Sequence, residues 1–303
     1  MTKSYTPKTK LQKIGHQRKV EMIYLVWKCG HMTVRQIMDH LLSRQNERSA
    51  MNLAGAMLRK ASAIGELIPR TDEWGHVYYF LGIKGARFLI ANGHQEILPR
   101  SGRKQNINQH RSISNTYALK NMRKPKHLAT YTDADIWGHS FLDGGAKRIP
   151  WKSWESFFHK KPDVLSVYDA PYAEDGFLEA EWVEVENCRR SDKDLAKLIT
   201  FIRHALLPIH STVLWHQDGY DIELAMLTFV LSKSTAIGLP ARIERALLHP
   251  MPARNKDGSF DSDTPRVRPL TADEMERVAN QIQFINHATG ELEEGLPSFK
   301  PRW

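Results

Sequence analysis

Acidic residues in the second half of the chain have types and spacings that suit a catalytic site. Asp163 opens an apolar run, residues 164–168, which is typical of a buried strand. Residues 177–187 alternate apolar and acidic side chains with the period of a strand, so Glu184 and Glu186 project from the same face. Carboxylate oxygens are the ligands that hard divalent cations prefer. The pattern therefore indicates cation-dependent chemistry carried by two strands.

The order of these residues resembles the restriction-endonuclease-like nucleases, whose motif is Pro-Asp followed by (Asp/Glu)-x-Lys. Pro162 and Asp163 match the first part of that motif, and Glu184 matches its acidic position. The resemblance implies that Asp163 and Glu184 hold Mg²⁺ or Mn²⁺ against the scissile phosphate, where the ion lowers the pKa of the attacking water. It also implies a further metal-binding carboxylate upstream, for which Asp133 and Asp135 are the candidates.

The third motif position departs from this pattern, because Glu186 stands where a lysine is expected. A helix predicted from about Ser191 to Leu207 offers Lys193 and Lys197 as catalytic replacements, and Arg189 is a further option. A cation near the attacking water would stabilise the developing negative charge. Alternatively, Glu186 is itself a catalytic metal ligand, or the site belongs to a degenerate nuclease that binds DNA without cutting it.

Alternating strand and helix signals predict that residues 127–250 form an α/β domain around these acids. The additional elements are strands at residues 128–132, Thr212–Trp215 and Arg242–Leu248, and a helix at Asp221–Ser232. Residues 251–303 are predicted to form a C-terminal loop, helix and tail. That helix is expected at Ala272–Ala288, with Thr271 as its N-cap.

Residues 15–94 show three helical segments, a hairpin and a fourth helix. The segments are Gly15–Gly30, Val34–Leu42 after the N-cap Thr33, about Glu47–Gly65, the strands Glu66–Arg70 and His76–Phe80, and about Lys84–Ala91. This order is typical of a winged helix-turn-helix domain, in which one helix fits the major groove of DNA and the hairpin lies on the flanking backbone. The candidate DNA-binding residues are Arg48, Asn52, Arg59 and Lys60 on the third helix and Arg70 on the hairpin.

Positive charge is concentrated in the same part of the chain. Residues 1–130 contain 23 Lys or Arg against 7 Asp or Glu, whereas the remainder contains 20 against 27. Such an asymmetry indicates that the first part binds a polyanion. Residues 95–126 are a basic segment whose start, with Arg103 and Lys104, is predicted to be a linker. Its second half, Ile107–Met122, is predicted to be a helix that packs on the next domain. The linker either continues the DNA-binding surface or is simply solvated.

When these features are considered in their order along the chain, the segment Gln17–Trp215 resembles the replication-relaxation family. That family includes the MobC-type relaxases of mobilisable plasmids and integrative elements. The matching segments are Tyr79–Gly85, Pro162-Asp163, Trp182–Glu186 and Lys197-Leu198. The resemblance implies a nuclease-like fold that nicks DNA at a transfer origin and acts within a relaxosome. The acidic residue that often follows a Trp at the start of the nuclease domain is not evident at Trp137-Gly138-His139.

The sequence also excludes several classes of protein. No apolar run approaches the roughly 20 residues of a membrane span, and the first residues lack the apolar segment of a signal peptide. The two cysteines, Cys29 and Cys188, provide neither a disulfide framework nor a CxxC zinc pair. We therefore expect a cytoplasmic protein without a membrane segment.

The leading hypothesis is a site-specific, Mg²⁺-dependent DNA nickase or relaxase of plasmid or integrative-element mobilisation. Its expected partners are double-stranded DNA and other relaxosome or coupling proteins. One alternative is a non-catalytic DNA-binding replication initiator, transcriptional regulator or relaxosome accessory protein. Another is an endonuclease that cuts both strands.

Overall fold

The structure is a computed structural model, and it describes most of the chain in several segments. The described residues are 9–95, 97, 107–132, 134–135, 160–170, 176–187, 190–208, 212–232, 238–249, 268–287, 289, 292–293 and 296. They form a mixed α/β protein with two compact units. The first unit lies within Met1–Lys120 and Thr132–Arg148, and the second lies within Asn121–Tyr131 and Ile149–Trp303. None of the described helices is both long enough and apolar enough to span a membrane.

The first unit combines helices with a small antiparallel sheet. Its elements are α1 (Lys10–Cys29), β1 (His31–Met32), α2 (Val34–Leu41), α3 (Glu47–Ala63), β2 (Leu67–Thr71), β3 (Val77–Leu81), α4 (Ile83–Ala91) and α5 (Gln109–Asn121). Strand β3 lies between β1 and β2 and is antiparallel to both. The predicted three helices, hairpin and fourth helix are confirmed, with shifts of a few residues at their ends.

Side-chain caps set the helix ends of this unit. Thr9 and Gln12 form a capping box at the start of α1, so this helix begins five residues before the predicted Gly15. It ends at Gly30, whose φ of 76° needs a residue without a Cβ. The predicted N-cap at Thr33 is confirmed as a second capping box. The oxygen of Asn46 accepts hydrogen bonds from two backbone N–H groups in the first turn of α3.

The body of helix α5 packs within the first unit, whereas the sequence predicted that the helix packs on the next domain. Its last residue, Asn121, belongs to the second unit and donates to Glu181 there. Asn115 Nδ2 donates to the carbonyl oxygens of Cys29 and His31 at 3.0 and 2.9 Å. Gln36 Nε2 donates to Ser112 O at 2.7 Å. The two bonds from Asn115 tie α5 to the end of α1 and to β1, and the bond from Gln36 ties α2 to α5.

The second unit is built on one mixed sheet. Its elements are β4 (His127–Thr132), β5 (Val164–Asp169), β6 (Phe177–Glu186), α6 (Asp192–Leu206), β7 (Val213–Gln217), β8 (Tyr220–Leu231), α7 (Leu239–Leu248), α8 (Ala272–Gln281), β9 (Ile282–Asn286) and β10 (Leu292–Glu293). The strand order is β10-β9-β8-β6-β5-β4, and β7 pairs with the first half of β8. Strands β5 and β6 are antiparallel, whereas β8 is parallel to both β6 and β9.

Two predicted elements of this unit have the wrong type: a predicted helix is a strand, and a predicted strand is part of a helix. Asp221–Ser232 was predicted as a helix, but residues Tyr220–Leu231 form β8 in the interior of the sheet. Its apolar end is buried on both faces, and such a run has no period that separates a strand from a buried helix. Arg242–Leu248 was predicted as a strand but lies in α7, where Leu239, Ile243 and Leu247 are buried at intervals of four.

The predicted C-terminal helix is shorter than expected. Its N-cap at Thr271 is confirmed, but α8 ends at Gln281 and the chain continues directly as β9. Ile282 and Phe284 are buried while Gln283 between them is half-buried, which is the period of a strand. Ile282, Phe284 and Ile285 are residue types that favour strands, and parallel pairing with β8 completes this one, so the helix does not extend beyond Gln281.

Candidate active site

Asp163 immediately precedes β5, and Glu184 lies on the adjacent strand β6 of the second unit. The register pairs Val164 with Val183, so Asp163 stands at the start of β5 opposite the end of β6. Asp163 N–H donates to Val183 O at 3.0 Å, and its Oδ2 accepts from Val185 N–H at 2.8 Å. The carboxylate of Asp163 is thereby fixed against the backbone on either side of Glu184.

Glu184 is a buried carboxyl with two polar partners. Trp182 Nε1 donates to its Oε1 at 2.5 Å, and Lys160 Nζ lies 2.7 Å from its Oε2. Burial raises the pKa of Glu184 to about 7; the charge of Lys160 opposes this change, and the negative charge of Asp163 adds to it. A carboxyl with such a pKa exchanges a proton near neutral pH, as a general acid or base does.

Glu186 shares the face of β6 with Trp182 and Glu184, as the alternation predicts, but it has a different partner. Arg190 Nε donates to Glu186 Oε2 at 2.9 Å, and Arg190 Nη2 donates to the other oxygen. This two-point contact between a planar guanidinium and a carboxylate fixes both groups. For Glu186 to act as the predicted catalytic or metal-binding residue, its carboxylate would have to release Arg190.

Lys160 is the residue of this site that the sequence did not single out. The lysines predicted to serve the site, Lys193 and Lys197, lie exposed on α6, and Arg189 lies outside the described residues. Lys160 instead reaches Glu184 from the segment immediately before β5, and 22% of its side chain remains exposed. A signal was present, because Lys160 stands three residues before Asp163 and must lie near it.

The upstream carboxylates predicted as metal ligands are placed differently. Asp133 lies outside the described residues. Asp135 lies in the first unit, where Lys28 Nζ is 2.8 Å from its Oδ2 and Thr132 N–H donates to the same oxygen. Across the segments that the structure describes, no group of three or more His, Cys, Asp or Glu is arranged to hold a metal ion. The carboxylates that remain together are those of Asp163 and Glu184.

The opposite face of β6 carries another buried acid, Glu181, which has the partners of a structural residue. Its oxygens accept hydrogen bonds from Asn121 Nδ2 (3.1 Å), Lys124 Nζ (2.8 Å), Tyr168 Oη (3.1 Å), Thr228 Oγ1 (2.7 Å) and Gln283 Nε2 (3.2 Å). Five donors satisfy the acceptor capacity of a carboxylate. Glu181 therefore links strands β5, β6, β8 and β9.

The predicted DNA-binding residues on α3 form one exposed face in the first unit. Arg48, Asn52, Arg59 and Lys60 are all exposed, whereas Ala54 and Leu58 on the other side are buried. Arg70 on β2 is half-buried, and its guanidinium carbon lies 4.8 Å from the centre of the Phe80 ring. The predicted contacts of Arg103 and Lys104 lie outside the described residues.

Comparison with known proteins does not assign this arrangement to a family. No family model matches the chain, and neither a curated protein nor a solved structure gives a significant match.

Proposed function

We propose that this protein is a DNA-binding, metal-dependent nuclease that hydrolyses a phosphodiester bond at Asp163, Glu184 and Lys160. The observation that carries the proposal is the position of these three groups, with Lys160 Nζ 2.7 Å from Glu184 and Asp163 fixed beside it on the next strand. Two acids and a cation at the end of adjacent strands are the groups that phosphodiester hydrolysis needs.

The donor set fits Mg²⁺ or Mn²⁺. Mg²⁺ is commonly held by one or two carboxylates, with water and substrate phosphate as its other ligands. Asp163 and Glu184 provide that pair, and the charge of Asp163 helps raise the pKa of Glu184, so a bound cation would relieve their repulsion. When bound, the ion polarises the phosphoryl oxygen and makes water a stronger nucleophile.

The residues of the chain have separable tasks in this reaction. Water adds to phosphorus, the bond to the leaving oxygen breaks, and the proton that water loses ends on that leaving oxygen, while negative charge grows on the phosphoryl oxygens. Lys160 carries a positive charge next to Glu184 and is suited to stabilise that charge. Trp182 holds one oxygen of Glu184 and thereby orients the carboxylate. Asp163 is oriented by the N–H of Val185.

The order of elements supports a restriction-endonuclease-like fold for the second unit. Strands β4, β5 and β6 are consecutive neighbours, and the connection from β6 to the parallel strand β8 contains α6 and β7. The matching residues Asp163 and Glu184 stand at the start of β5 and near the end of β6. We infer from this order that the family resemblance to replication-relaxation proteins extends to nicking in plasmid or integrative-element mobilisation.

We further propose that the first unit is a winged helix that binds double-stranded DNA. The exposed Arg48, Arg59 and Lys60 of α3 would contact the phosphates and Asn52 the base edges. The hairpin of β2 and β3 occupies the position of the wing in the order of elements. Site choice then belongs to this unit, and relaxosome or coupling proteins are its further partners.

A non-catalytic DNA-binding protein is the second candidate function. It is favoured by the protein partners of the acids, because Trp182 and Lys160 engage both oxygens of Glu184, and Arg190 engages Glu186. In that case the buried ion pairs would only hold the strand ends together, and the chain would act as a replication initiator, transcriptional regulator or relaxosome accessory protein.

Conversion of supercoiled plasmid in Mg²⁺ or Mn²⁺ separates the two functions. The plasmid should carry the sequence that flanks the gene in its native context. We expect the wild type to yield open circles and Asp163→Asn to yield none, because the substitution removes one negative ligand. Asp169→Asn, at the other end of β5, is the matched control and should cut as the wild type does. Linear product would indicate cutting of both strands, and DNA binding without cutting by the wild type would support the second function.

A further inference from the structure

The tip of the β2–β3 hairpin displays a tryptophan that the proposed function does not use. Trp74 retains 67% of its accessible surface, and Ile68 and Val77 on the same hairpin retain 41% and 37%. Tryptophan combines a large apolar face with an N–H donor, and for this reason it is enriched at contact surfaces. The hairpin therefore presents an aromatic tip outside the core of the first unit.

The turn that carries Trp74 is fixed by Asp72. Asp72 Oδ1 accepts hydrogen bonds from the N–H groups of Trp74 and His76 at 3.0 and 2.8 Å. Its Oδ2 lies 3.0 Å from His76 Nδ1, and the backbone pairs Asp72 N–H with His76 O. Gly75 has a φ of 86°, which closes the turn. A side chain displayed on a fixed turn loses little conformational freedom when it binds.

The charges of this tip do not suit contact with phosphates. Its neighbour Glu73 is exposed, and Asp72 beside it is acidic. Arg70, the arginine of the hairpin, lies over the Phe80 ring. An acidic tip is repelled by the phosphate backbone, whereas an indole face can stack on any nucleobase. In a closed duplex the base faces are already stacked, so the indole has access to a base where the pair is open.

We propose that Trp74 stacks on an unpaired nucleobase, so that the hairpin recognises a locally opened stretch of DNA. The proposal rests on DNA binding by the first unit, in which the exposed cations of α3 attract the backbone. The two surfaces are complementary, since α3 supplies the charge that the hairpin tip lacks.

Binding of the full chain to matched oligonucleotides tests this inference. Affinity is measured in chelator, so that no cutting occurs, for a duplex and for the same duplex with a short mismatched bubble. We expect the wild type to prefer the bubble and Trp74→Ala to weaken bubble binding at least about fivefold, the effect of losing one base–aromatic stack. Duplex affinity should stay unchanged, and Trp74→Phe should retain part of the preference because it keeps a ring.

Ile83→Ala is the matched control, since Ile83 is an apolar side chain of the first unit that is 55% exposed; it should alter neither affinity. Equal bubble affinities for the wild type and Trp74→Ala would overturn the stacking role while duplex binding stands, and would leave the tip as a contact for protein. A wild type that binds neither DNA would overturn DNA binding itself, and the stacking role with it. Because Trp74 lies outside the core, circular dichroism should show both Trp74 variants folded.

Discussion

At the residue scale, the chemistry of the second unit depends on how a buried carboxyl is kept in place. Glu184 is 3% exposed at its side chain, and a single buried carboxylate without partners would be protonated and useless as a cation ligand. Lys160 and Trp182 reduce that cost, but the pKa of Glu184 still stands near 7. A group in this condition gains most from a bound cation, which is why we regard it as functional.

His31 gives a prediction at the same scale. It is fully buried in β1 between the rings of Tyr78 and Phe80, and within the described residues neither ring nitrogen has a hydrogen-bond partner. Burial, together with the charge of Arg111, lowers the pKa of His31 to about 4. An unfolded histidine titrates near 6.5. The unfolded state therefore binds more protons between these values, and stability falls as the pH decreases through this window.

His31→Phe should remove this pH dependence, which amounts to roughly 3 kcal/mol for a shift of this size. Stability at neutral pH should be retained or raised, because the ring is kept and the buried polar nitrogens are lost. Denaturant unfolding from about pH 4 to pH 7 measures the effect. His249→Phe, at an exposed position, is the control. If both variants lose stability with acid as the wild type does, the buried His31 is not the cause.

The acids of the site were predictable from sequence, whereas the cation was not. Asp163 was predictable because it directly follows Pro162 at the start of an apolar run. Glu184 was predictable because it lies on a strand that alternates apolar and acidic residues. Which lysine reaches them depends on the path of the chain before β5. The sequence favoured Lys193 and Lys197 because α6 follows β6, although the three-residue spacing between Lys160 and Asp163 also places Lys160 near the site.

Among the elements of the first unit, the hairpin and α4 approach each other so closely at Gly85 that a side chain would not fit between them. A Cβ on Gly85 would stand 2.2 Å from Glu66 O and 2.9 Å from Leu81 Cδ1. The carbonyl of Glu66 cannot shift freely, because it accepts the N–H of Gly82 at 2.8 Å. The packing of α4 on the end of β3 therefore requires glycine at this position.

Gly85→Ala should destabilise the protein by about 1–3 kcal/mol, the usual range for an overpacked site. Gly15→Ala is the matched control, because a Cβ on Gly15 in α1 meets no atom within 4 Å. Alanine there should stabilise by about 0.5–1 kcal/mol through helix propensity. Urea unfolding midpoints compare the two variants. Equal midpoints would show that α4 can move away from β2 without loss.

Helices with a clear hydrophobic period and an N-cap were predictable from the sequence. Elements whose type depends on pairing with neighbouring strands were not. The two Thr-capped helices α2 and α8 begin where their caps predict. In β8, by contrast, an apolar run buried on both faces carries no period, so the parallel strands β6 and β9 decide its type. Helix α7 was missed because its buried residues, spaced by four, are separated by charges that alternate over a short segment.

In the whole molecule, the proposed recognition and cutting belong to different parts of the chain. The basic excess of 23 Lys or Arg over 7 Asp or Glu lies in residues 1–130, and the acids of the candidate site lie in the remainder. The groups suited to bind a polyanion and those suited to bind a cation are therefore separated along the sequence. Substitutions in the second unit should change the rate of cutting and leave DNA affinity as it is.

The most direct test is the rate of single-turnover plasmid nicking by the full chain as Mn²⁺ is increased. We predict that Lys160→Ala lowers the rate at saturating Mn²⁺ by roughly 100-fold, because it removes a charge that stabilises the phosphoryl oxygens. Glu184→Gln should raise the Mn²⁺ concentration required, and Lys193→Ala should cut as the wild type does. Wild-type rates for Lys160→Ala and Glu184→Gln, with loss of cutting in Lys193→Ala, would contradict the account.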